Sequence, residues 1–148
     1  MKKEFKGRVV VPGEAHAEAL VSHNGFNTLA SYQKCLMFGD KKATCSDQNN
    51  PELYKKSMHL KALCLPQTIG STTGGMVFYS AAALGRQPAC MLFSNPIDSL
   101  AAAGVILTDV WTDVPMPTVD CLGAEFLNYV KDGMQITVQA DGVVMVED

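Results

Sequence analysis

The residues best placed to do chemistry are the consecutive Gly70, Ser71, Thr72, Thr73, Gly74 and Gly75. They lie between a short apolar run, Lys61 to Leu65, and a segment from Met76 to Leu84 with helical spacing. Where a strand turns into a helix, the first backbone N–H groups have no intrahelical partner and sit at the positive end of the helix dipole. Such a turn can hold a carboxylate or a phosphate. Glycines on both sides let a ligand approach the backbone, and the hydroxyls could bind the held anion or move a proton on it. A plainer role competes, because Ser and Thr are preferred helix N-caps. One cap needs one hydroxyl, and three stand here. The Lys-Ser/Thr ending of a nucleotide-binding P-loop is missing. On the residues alone, anion binding and simple capping both stay open.

The other reactive side chains form no comparable cluster. The only arginines are Arg8 and Arg86, so a guanidinium clamp for an acidic substrate would have to come largely from elsewhere. Arg86 falls after the helix that the loop opens, at its far end. Arg8 reads first as a solvated or interface residue. His16, His23 and His59 are isolated and read as surface or capping residues. The cysteines at 35, 45, 64, 90 and 121 include no CxxC pair and no zinc spacing. Cys64 and Cys90 fall inside apolar runs and read as core. Asp109, Asp113 and Asp120, interleaved with Trp111, Pro115 and Pro117, read as a rigid loop with solvated carboxylates. The scattered methionines, Met76 among them, read as packing residues.

The elements that must position the loop follow from pattern. Phe5 to Val11 is strand-like. After the Pro12-Gly13 turn, Ala15 to Val21 reads as a strand returning beside it, though a helix also fits. From Ser22 to His59 the signals weaken, and long loops are expected. Ala62 to Leu65 is a strand. The helix from Met76 to Leu84 stops at Gly85, and the continuous apolar run Ala89 to Phe93 suits a parallel sheet. Together these make a β-α-β unit. Pro96-Ile97 starts a second short helix through Ala103, with Val105 to Leu107 as the next strand. A helix from Ala124 to Val130 precedes a closing hairpin, Ile136 to Gln139 and Val143 to Val146, turning at Asp141-Gly142.

Composition bounds what this scaffold can do. The 148 residues fit one domain, residues 1–148, and 47% hydrophobic with 18% charged residues describes a globular protein. A net charge of −3 argues against nucleic acid as a partner. No apolar run approaches the roughly 18 residues of a membrane span, and the N-terminus lacks the apolar core of a signal peptide. A cytoplasmic location is expected.

The order of these features carries a resemblance. Gly7-Arg8, a strand pair, a variable middle, a strand, the Gly-Ser-Thr-Thr-Gly-Gly loop, a helix, then Gly85-Arg86-Gln87-Pro88-Ala89 and an apolar strand resemble the swivel domain, or small subunit, of the aconitase X family. The similarity runs from Gly7 to the closing hairpin and is weakest between Ser22 and His59. It implies an α/β fold, a single swivelling β/β/α domain with a β-α-β core and additional strands closing a barrel-like sheet. It implies a hydro-lyase that removes water from a small hydroxy acid, active only with a large catalytic subunit. That partner would carry the iron-sulfur or iron centre, none being bound by this chain alone. Ser71 corresponds to the family's catalytic serine, the base that takes the proton next to the carboxylate. Gly70, Thr72, Thr73 and Gly74 would hold the substrate. The family's usual wording is Gly-Ser-Ser, and here Thr72 replaces the second serine, keeping a hydroxyl and adding a methyl. The shortage of cations favours cis-3-hydroxy-L-proline as substrate over mevalonate 5-phosphate. A non-catalytic interaction module and a free-standing anion-binding protein are the alternatives.

Overall fold

A computed structural model describes residues 2–69, 74–113 and 116–147. Strands β1 (Lys2–Lys6) and β2 (Arg8–Val11) are separated by Gly7 alone, yet they occupy opposite ends of an eight-stranded sheet. Its order is β1-β10-β9-β3-β5-β7-β8-β2, with β3 (Ala15–Val21), β5 (Ala62–Leu65), β7 (Cys90–Phe93), β8 (Thr118–Asp120), β9 (Gln135–Val138) and β10 (Val143–Glu147). The expected barrel is therefore not closed by a ladder among the described residues. Chain continuity through Gly7 brings the two edges together instead. A Cβ at Gly7 would stand 2.3 Å from the Asp120 carbonyl oxygen and 2.7 Å from Val119 Cγ1. Only glycine fits so close to a main chain.

The sheet has two halves that meet within β3. Its first residues, Ala15 to Glu18, pair antiparallel with β9, and its last, Ala19 to Val21, pair parallel with β5. The expected strand pair is thus corrected: β3 makes its ladders with β9 and β5 and none with β1 or β2. On one side lies the antiparallel meander of β1, β10 and β9, which includes the expected hairpin with its turn at Gly142 (φ 91°). On the other, β3, β5, β7 and β8 run parallel. Three helices cross over this half: α1 (Thr28–Phe38), α2 (Gly74–Ala83) and α3 (Ser99–Trp111).

Every residue of β5 and β7 is buried, because both faces of this half are covered. Leu63, Leu65, Met91 and Phe93 face the helices, where Phe26, Tyr32 and Phe78 form an aromatic cluster. The alternate residues Ala62, Cys64, Cys90 and Leu92 join a second core with Phe5, Phe126, Ile136 and Val144. Phe126 belongs to the short helix α4 (Ala124–Tyr129) and meets Phe5 edge-on at 5.3 Å. Each large side chain so buried contributes about 1.5–3 kcal/mol.

Two further expectations are corrected. The weakly patterned stretch from Ser22 to His59 holds a helix, α1, not only loops. Asn27 caps it by accepting the Ala30 N–H, and Gly39 (φ 69°) ends it. Val105 to Leu107 is not a strand but the middle of α3, where Ala101, Val105 and Thr108 are buried along one face. That spacing is helical, and it outweighs the strand preference of three large aliphatic residues. The next strand is β8. On α2 the buried positions are Val77, Phe78, Ala81 and Ala82, whereas Met76, and Leu84 just past the helix end, are exposed.

Candidate functional site

Because β3, β5 and β7 are parallel, their C-terminal ends share one edge of the sheet, and α1, α2 and α3 all begin there. Ligands of open α/β sheets bind at this edge. Of the residues singled out above, Gly70, Ser71, Thr72 and Thr73 lie outside the described residues, and Gly74 is the first residue of α2. The described elements on either side fix where the segment starts and ends. It leaves the short strand β6 (Thr68–Ile69), which pairs parallel with β4 (Phe26–Asn27). It returns to the chain at the start of α2.

Both neighbouring helix starts are tied to this frame. Asn27, opposite Ile69 in the ladder, is also the cap of α1. Asp98 caps α3, its Oδ2 accepting the Ala101 N–H at 3.0 Å. Thr68 donates its hydroxyl to Asp98 Oδ1 and so joins β6 to the start of α3. Gly25 closes the frame, since a Cβ there would come within 2.6 Å of Ile69 Cγ2. β6 thus ends among three helix N-termini, whose positive ends favour an anion.

The same edge carries two ion pairs. Arg8 makes a bidentate bond to Asp120, Nε to Oδ1 at 2.9 Å and Nη2 to Oδ2 at 2.6 Å. Asp120 Oδ2 also accepts the Ile97 N–H at 2.7 Å. Asp120 is fully buried in β8, which corrects the expectation of a solvated loop carboxylate. Asp109 and Trp111 belong to α3, and Pro115 is outside the described residues. Burial works to raise the Asp120 carboxyl, but Arg8 and the Ile97 N–H outweigh it and hold the group below its ordinary value. Arg8 therefore has a structural partner. At the end of β3, His23 Nδ1 donates to Glu52 Oε2 at 2.8 Å, and Nε2 to the Leu127 carbonyl at 3.2 Å. Two acceptors, one on each nitrogen, favour the imidazolium. The Glu52 bond accordingly raises the His23 pKa despite partial desolvation. A cavity of about 370 Å³ beside this pair is lined by Lys56, Lys131 and Asp132 among others.

Sequence reasoning missed Asp98 and Asn27 as organisers of the site. Their signal, an Asx residue immediately before a helix, depends on knowing that α1 starts at Thr28 and α3 at Ser99. His16 lies against Thr137 Oγ1 at 2.9 Å and His59 against the Gln87 carbonyl at 3.2 Å, both away from this edge.

No three or more His, Cys, Asp or Glu residues among the described side chains converge as a ligand set. Cys35, Cys45, Cys64 and Cys90 are all buried. Desolvation pushes the Cys90 thiol up to about 12 and Cys64 well above its usual value, and a protonated thiol is a poor metal ligand. Among the described residues, no helix is long and apolar enough to cross a membrane.

Residues 4–146 match the model of the aconitase X swivel domain, and the chain belongs to that family. A phosphomevalonate dehydratase small subunit from Thermococcus onnurineus is 27% identical over 98% of this chain and 99% of its own length. A cis-3-hydroxy-L-proline dehydratase from Pseudomonas aeruginosa is 29% identical over 80% of this chain, a match that takes up 19% of that longer protein. Among solved structures, the crystal structure of Thermococcus kodakaraensis aconitase X in its holo form contains a chain that superposes with a TM-score of 0.81. It is 26% identical, with 99% of each chain covered. The α/β architecture is therefore that of the aconitase X swivel domain.

Proposed function

We propose that this chain is the small subunit of an aconitase X-type dehydratase, with Ser71 as the base that removes the proton next to the substrate carboxylate. What supports the reading is the match of residues 4–146 to the aconitase X swivel domain, together with the end of β6 and the start of α2 at the edge where three helices begin. A serine hydroxyl is too weak an acid to serve as a base unaided. Helix N-termini and backbone N–H donors at that edge would stabilise its alkoxide. Gly70, Thr72, Thr73 and Gly74 would hold the carboxylate. The iron-sulfur or iron centre is assigned to a large partner subunit, where it would act as Lewis acid towards the leaving hydroxyl.

The substrate in this reading is a small hydroxy acid, and cis-3-hydroxy-L-proline is favoured. Among the described residues of β4, β6 and the first turns of α1, α2 and α3 there is no lysine or arginine to meet a phosphate. Mevalonate 5-phosphate is the second reading, supported by the end-to-end likeness to phosphomevalonate dehydratase small subunits. The test is turnover of both compounds by the chain reconstituted with its large subunit and iron. Ser71→Ala is expected to abolish turnover and leave the melting temperature unchanged. Turnover at the wild-type rate by Ser71→Ala would end the catalytic assignment. Turnover of the phosphorylated compound alone would reverse the substrate preference.

A further inference from the structure

The outward surface of the helical layer has no counterpart elsewhere in the described chain. Lys34 and Asp109 are the only charged residues across α1, α2 and α3. Large apolar side chains project from the layer into solvent, with Phe38 76%, Val110 66% and Trp111 66% exposed, and Met37, Met76 and Ile106 beside them. Among the described residues, the exposed large apolar side chains outside the three helices are Leu84, just past the end of α2, and Leu60 and Ile69. Helices apolar on all sides belong in an interior, and a monomer seldom exposes an apolar patch beyond a few hundred Å². Trp111 is already braced by Tyr79, edge-on at 5.9 Å. Interfaces use such ordered aromatic anchors.

We propose that this face is where the large subunit docks, through a surface that is itself apolar and poor in charge. The inference rests on the proposed function and adds to it the surface and its chemistry. Two observations choose this occupant over a second copy of the chain. In the cis-3-hydroxy-L-proline dehydratase the matching region is 19% of one longer polypeptide, so the remainder is held beside it covalently. In the relatives that match end to end, the same domain is a separate chain named a small subunit. A separate chain must hold its partner by non-covalent area, of order 800 Å² on each side. The helical face is the apolar surface available for it. Met76, exposed in the first turn of α2, brings the face to the helix end that follows Thr73 in the sequence.

The experiment titrates the large subunit into full-length chain labelled with fluorotryptophan, whose single tryptophan is Trp111. Size-exclusion with light scattering is followed in parallel. Wild type is expected to form a complex in which the Trp111 fluorine signal shifts. The double substitution Ile106→Lys with Val110→Lys is expected to weaken binding at least about a hundredfold, with unchanged circular dichroism and melting of the free chain. Leu60→Lys, exposed but off the layer, is expected to bind as wild type. Ser71→Ala is expected to bind normally while losing turnover. Unchanged affinity in the double variant, with a silent Trp111 signal, would overturn the docking face and leave the proposed function standing. A free chain that is dimeric, and becomes monomeric on the double substitution, would assign the face to a second copy. Failure of the wild-type chain to bind any large subunit would overturn both readings.

Discussion

The antiparallel half of the sheet and the helical layer solve the problem of a surface in opposite ways. In β9 and β10, buried and half-buried residues alternate, so each strand shows one face to the core and one to water. Charges border this half: Lys2 pairs with Glu147 on the outer face at 2.9 Å, and Lys3, over the Phe5 and Tyr129 rings, pairs with Glu125 of α4 at 2.7 Å. None of the ion pairs among the described residues involves α1, α2 or α3. The helices are apolar towards the sheet and largely apolar away from it. One half meets water with charge, and the other meets it with apolar side chains. A buried phenylalanine and an exposed one in the same chain therefore do different work.

Phe126→Ala should cost the free chain about 3–5 kcal/mol in urea unfolding, because its ring is fully buried in the antiparallel core. An equal loss from Phe38→Ala would break the contrast. Gly7→Ala should cost about 1–3 kcal/mol or more. The obstruction is a carbonyl oxygen, which cannot move aside as a side-chain tip would. Asp120→Ala removes three hydrogen bonds between β8, β2 and the Ile97 turn, for an expected loss of about 1–3 kcal/mol. Phe38→Ala itself should change the stability of the free chain by no more than about 0.5 kcal/mol, since the ring is mostly in water.

The smallest effect is one of pH. His23 has a raised folded pKa, so its contribution is complete below the unfolded value near 6.5 and fades as pH rises through the folded one. The pair is half exposed, which limits the contribution to under about 1 kcal/mol. Unfolding at pH 6 and pH 8 should show the slope in wild type and lose it in His23→Gln.

Much of this architecture is legible in the sequence, and the misses have physical causes. The unit β5-α2-β7 is readable because strands buried on both faces are continuous apolar runs, with Gly85 (φ 72°) marking the end of the helix. Helix α1 is hard to read, because outward Leu29, Met37 and Phe38 blur the stripe by which amphipathic helices are recognised. The same loss of contrast makes Val105 to Leu107 in α3 resemble a strand. Both errors fall on helices whose exposed faces are themselves apolar, and an apolar exposed face erases the periodic signal. The pairing of Arg8 with Asp120 spans 112 residues, and no local pattern announces it. At the candidate site the expectation rests on the residue types of Gly70 to Thr73, while Asn27 and Asp98 are recognisable once the helices they cap are placed.

The ladder that sets Lys2 opposite Glu147 brings the first and last strands side by side. A chain arriving at β1 and one departing from β10 do so at the same corner. Such a domain can be spliced onto a larger polypeptide, or released from one, with a single short tether and no change to its interior. It should equally tolerate circular permutation, with old ends joined and new ones opened at an exposed turn such as Ala140-Asp141. Fused and separate forms of one fold, as found among its relatives, are then neighbouring solutions for a gene: a linker in one case, a sticky helical face in the other.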